Sequence, residues 1–143
     1  MKLVTFVRPG ADPQGAVGAL LDDGRILDLG VASDSFEGRS MLDLVRAGEP
    51  LLARARALSA AADSVPAAAF VRAEAATILA PLPRPVSVRD GYAFRQHVET
   101  ARRNRGLPMI PEFDEFPVFY FTNALAVIGP GELKVGGRRL EKL

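Results

Sequence analysis

Short apolar runs separated by turn residues dominate the first thirty positions of the chain. Leu3-Val4-Thr5-Phe6-Val7 is rich in β-branched and aromatic side chains, and Pro9-Gly10 followed by Asp12-Pro13 stops it, so the run predicts a strand. A second apolar run, Ala16 to Leu21, meets Asp22-Asp23-Gly24 and resumes as Arg25-Ile26-Leu27-Asp28-Leu29. An Asp-Gly pair between two apolar runs predicts a hairpin, because glycine accepts the positive φ of a tight turn. The chain therefore opens as a small antiparallel sheet.

The pattern then changes period. Ser40-Met41-Leu42-Asp43 predicts a helix start, with a serine oxygen free to accept an early backbone N–H and an acid near the positive helix end. Gly48 ends that turn, and Pro50 suits the first turn of a second helix through Leu51, Leu52, Ala55 and Leu58. The alanine-rich stretch from Ala60 to Ala76 contains Pro66, which breaks any single helix, so it is expected to be a helix end and a connector. Thr77 to Leu79 is expected to be a short strand.

Pro81, Pro83 and Pro85 make the next segment extended and stiff, and the main boundary is placed there. Beyond it a helix is expected from near Asp90 to about Asn104, capped by Ser87, with Arg102, Arg103 and Arg105 in its last turn and Gly106 and Pro108 as its stop. Pro117-Val118-Phe119-Tyr120-Phe121 predicts an aromatic strand, apolar on both faces and so expected to need cover on both sides. Ala124 to Ile128 is a further apolar run, and Gly129-Pro130-Gly131 and Gly136-Gly137 mark turns. The expected fold class is α+β: an amino-terminal domain over residues 1–80, then a helix and short strands over residues 81–143.

Composition narrows the functional classes. Eighteen basic and seventeen acidic residues leave a net charge of +1, so nothing demands a nucleic-acid or anionic-membrane partner. The chain has no cysteine, which excludes disulfides and cysteine-ligated zinc and fits a reducing compartment. The start reads as a strand, without the apolar region of a signal peptide, and no apolar run has the length of a spanning helix. The expectation is a soluble, cytoplasmic protein.

Candidate chemistry gathers around the single histidine. Asp90 and His97 lie seven positions apart, which on a continuous helix would put them on one face, roughly 10 Å apart. That spacing suits an aspartate at one end of a cavity and a proton-transferring imidazole further along, or simply an amphipathic helix with ordinary polarity. Helix-end electrostatics accounts for most of the arginine cluster at 102–105. Glu112, Asp114 and Glu115 read as an acidic loop rather than a cation site. Gly129-Pro130-Gly131 has neither dinucleotide-loop spacing nor a following P-loop lysine, and no Gly-x-Ser-x-Gly elbow supports serine-hydrolase chemistry.

From Pro81 through Arg89-Asp90-Gly91-Tyr92-Ala93-Phe94-Arg95-Gln96-His97 the chain resembles the fumarylacetoacetate hydrolase family, bacterial type. The resemblance continues through Ala101-Arg102-Arg103, Phe116 to Phe121 and Ile128 to Gly131, and the opening Met1 to Leu29 is similar to the family's amino-terminal domain. Its most specific element is Asp-x-Tyr-x-x-x-Gln-His. The resemblance implies a hydrolase of carbon–carbon bonds in β-diketo acids, using a magnesium or calcium ion held by carboxylates. Asp90 then stands where the family has a metal ligand and His97 where it has the base that activates water. Tyr92 and Tyr120 match substrate-contacting residues, and Arg105 lies one residue out of register with an arginine that binds the substrate carboxylate.

Family members continue with a Glu-x-Glu pair, an aspartate and a lysine, which the resemblance would place from about Leu140 to Leu143 onward. The expectations are that this chain alone is inactive and that the whole enzyme is a homodimer acting on a small β-diketo acid. Relatives on the same scaffold isomerise or decarboxylate hydroxymuconate-type acids, which is an alternative. A non-catalytic module docking on a partner is another.

Overall fold

The computed structural model describes residues 1–11 and 13–131, and the chain divides into two compact units. Met1–Pro83 and the described residues from Ile128 onward form the first; Arg84–Val127 form the second. The fold is α+β. Position Asp12, the Gly136-Gly137 turn and the stretch Leu140 to Leu143 lie outside the described residues.

In the first unit, β1 (Lys2–Val7), β2 (Ala16–Leu20) and β3 (Arg25–Asp28) form an antiparallel meander. Its hairpin closes where expected: Leu21 N–H donates to Arg25 O (2.8 Å), and Gly24 takes φ +80°, a conformation open to glycine without a Cβ clash. The sheet grows at both edges to the order β4-β3-β2-β1-β5. At one edge β5 (Thr77–Ile78) pairs with β1, and Leu79 N–H continues the ladder to Thr5 O at 2.9 Å. At the other edge β4 (Phe70–Arg72) pairs with β3, Ile26 opposite Val71. This second strand lies inside the alanine-rich stretch expected to be a helix end and a connector.

Side chains alternate across a strand, and here both faces are buried. Val17, Ala19 and Leu27 point to one side, where they join Leu29, Phe36, Met41, Leu44, Ala55 and Ala69 in a single core. Phe6 and Ile26 fill the other side, and both are fully buried. Gly18 lies between them on β2. A Cβ there would stand 2.5 Å from Ile26 Cγ2 and 2.7 Å from Phe6 Cε1, so only glycine lets these two side chains close over the strand.

The helices follow local signals. α1 (Leu29–Ala32) is capped by Asp28, whose Oδ1 accepts from the Gly30 and Val31 N–H groups. α2 (Met41–Ala47) begins with a reciprocal box between Ser40 and Asp43, which satisfies two otherwise orphaned donors. α3 (Glu49–Ala60) carries Pro50 in its first turn, where a missing N–H costs no intrahelical bond. No described helix is long and apolar enough to cross a membrane.

The second unit holds a two-stranded antiparallel ribbon, β6 (Val88–Gly91) with β7 (Phe119–Thr122), and one helix, α4 (Arg95–Arg103). The helix expected from Asp90 starts five residues later. Ser87 does not cap it; Phe94 occupies the N-cap without a side-chain hydrogen bond. The cause is competition for backbone partners. The aromatic strand needs a neighbour to satisfy its ladder, and Val88–Gly91 supplies it. The stop signal works as expected: Gly106 N–H donates to Arg103 O and Leu107 N–H to Arg102 O, both at 3.0 Å, with Gly106 at φ +69°, the Schellman arrangement.

Candidate functional site

Asp90 enters this site from a strand, which overturns the shared helical face expected for Asp90 and His97. On β6 it stands directly opposite Tyr120 of β7, and cross-strand partners are close neighbours on one face of a ribbon. Tyr92, just past the end of β6, extends the pairing by donating its N–H to Val118 O at 3.0 Å. Its ring meets that of Tyr120 edge to face, with centroids 6.2 Å apart and planes at 88°, within the range for a favourable aromatic pair. Three of the five sequence-derived site residues therefore lie together on one ribbon.

His97 is carried separately, in the first turn of α4, and its imidazole is exposed. Among the described residues no side-chain hydrogen bond fixes either ring nitrogen, so the imidazole is free to serve as donor or acceptor. The helix periodicity puts Arg95, Glu99 and Arg102 on one stripe and His97 about 160° away from Arg95 around the axis. That stripe is structural. Arg95 donates to Glu99 Oε1 (2.8 Å) and to Asp114, and its guanidinium lies 5.9 Å from the Phe113 ring. The hydrogen bond to Asp114 raises the Arg95 pKa further, with Glu99 adding to it. Arg102 donates to the carbonyl of Pro108. Asp114 thus belongs to an ion pair that ties the 104–116 segment along α4.

Arg105 follows the helix and is exposed. Among the described residues its side chain contacts none of Asp90, Tyr92, His97 or Tyr120 through a hydrogen bond or ion pair.

The donor set bears on the expected magnesium or calcium ion. Among the described residues no group of three or more histidine, aspartate or glutamate side chains gathers as a metal cluster would require. Asp90 alone does not fit such an ion, since magnesium held by a single carboxylate keeps most of its waters and binds weakly. Among the described residues the resemblance assigns one ligand to such an ion, Asp90.

Sequence reasoning missed the other face of the ribbon. Arg89, Gly91, Phe119 and Phe121 share that face by the strand register. Arg89 lies over both rings, 5.2 Å from the Phe119 centroid and 5.1 Å from that of Phe121, within cation–π range. Phe119 is 39% and Phe121 74% exposed, so the cover expected from the apolar pattern is absent among the described residues. The alternation of Phe119 and Phe121 with Tyr120 was the available signal, but the arginine opposite could be found only from the register.

A cleft of about 450 Å³ in the first unit has Arg8, Arg39 and Asp28 on its walls. Asp28 already neutralises Arg8 at 2.7 Å, while Arg39 donates to the carbonyl of Ser35 at 2.9 Å. No family model and no curated protein matches the chain.

Proposed function

We propose that this chain is the amino-terminal part of a metal-dependent carbon–carbon bond hydrolase acting on β-diketo acids of the fumarylacetoacetate or acylpyruvate type. The observation that carries the reading is the meeting of Asp90, Tyr92 and Tyr120 on one ribbon. These three come from two segments about thirty residues apart, and the resemblance assigns Asp90 to the metal and the two tyrosines to the substrate. In this reading the two phenols donate hydrogen bonds to the substrate's oxygens and orient it over Asp90. The exposed His97 imidazole accepts a proton from the attacking water as a general base and returns it to the carbon of the departing fragment. In this reading Asp90 would contribute one carboxylate toward a magnesium or calcium ion, which when bound would polarise the diketone oxygens. A full ligand set would need carboxylates in addition to Asp90.

The exposed aromatic face agrees with this picture. A lone two-stranded ribbon is marginally stable in water, and Phe119 and Phe121 together make an apolar surface of the kind that other protein normally covers. The same exposure favours the second reading, a non-catalytic module that docks on a partner.

The coding sequence beyond the Leu143 codon discriminates between them. A downstream Glu-x-Glu supports the enzyme; a stop codon at that point supports the module. The protein from the complete reading frame, given magnesium and an acylpyruvate, should then deplete the diketone's ultraviolet absorbance. His97→Asn should lower kcat and kcat/KM together. Asp90→Asn should weaken metal affinity and recover part of its rate at higher metal. Full activity in both variants sinks the proposal. The 143-residue chain by itself should show no turnover, and turnover abolished by His97→Ala would overturn the view that it needs further ligands.

A further inference from the structure

We draw no further inference here: the strongest candidate, the exposed aromatic face of the β6–β7 ribbon where Arg89 lies over Phe119 and Phe121, carries nothing beyond the site already described because nothing in the structure shows what covers it.

Discussion

Arg8 donates from Nε to Oδ2 of Asp28 at 2.7 Å, while Oδ1 of the same carboxylate caps α1. Asp28 is 3% exposed, so its charge is tolerated only because every lone-pair direction in use meets a donor. Arg8 also donates to Ala68 O at 3.2 Å, which ties the end of β1 to the segment that leads into β4. Asp28→Ala should destabilise the first unit by about 3 kcal/mol, since it strands a cation and uncaps a helix together. Arg8→Met should cost less, because the α1 amides still solvate the carboxylate. Urea denaturation of both variants and of the double variant checks this. Additive effects would mean that the two side chains act independently.

Gly18→Ala should be destabilising by about 1–3 kcal/mol through overpacking. The added methyl would press on Ile26 and Phe6, with Leu27 O only 3.1 Å away as well, so neither side chain can retreat freely. Paired with Ile26→Ala, the loss should be smaller than the sum of the two single changes, because Ile26→Ala removes the Cγ2 atom at the clash. A melting temperature unchanged by Gly18→Ala would show that β2 can shift away from its neighbours.

The Asp43 carboxylate is held below the usual aspartate range, first by the Ser40 hydroxyl and then by the Ser40 backbone N–H. A depressed aspartate pKa contributes stability that is complete above the unfolded value, about 3.9, and is lost as pH falls through the folded one. The start of α2 should therefore fray in acid, below about pH 4, and be insensitive to pH above it. Amide exchange at Met41 to Asp43 across that range reads the effect. In Asp43→Asn the acid-dependent step should vanish. Ser40→Ala should lower stability by about 1 kcal/mol at neutral pH.

Backbone amides of β1, β2 and β3 should exchange more slowly than those of β7. The first set belongs to a five-stranded sheet with both faces buried, whereas β7 has one partner strand and exposed side chains throughout. Local openings are cheapest where buried apolar contacts are few. Strong protection at Phe119 and Tyr120 in a proven monomer would contradict this. For the same reason Phe121→Ser should change stability by less than about 0.5 kcal/mol, while Phe36→Ala, at a residue 2% exposed, should cost about 3–5 kcal/mol.

Elements specified by neighbours in sequence were legible without the fold. The β1–β2–β3 meander follows from alternating apolar runs and one Asp-Gly turn, and α2 and α3 from Ser40, Asp43 and Pro50 at their starts. The Schellman stop at Gly106 belongs to the same class. In each case the deciding contacts span only a few residues, so composition and spacing carry the information.

Elements that depend on distant partners were decided only by tertiary structure. Phe70–Arg72 is a strand because Ile26, some forty-five residues earlier, offers an open edge across from Val71; the alanines around it carry no strand signal of their own. Asp90 reads as helical by spacing, yet it lies in a strand because Tyr120 stands across from it. That pairing also selects which candidate residues meet: Asp90 with the two tyrosines, on a ribbon, while His97 stays on the helix. Side-chain chemistry is written along the chain, but a strand's hydrogen bonds are satisfied by another strand, and local pattern does not say which one it will be.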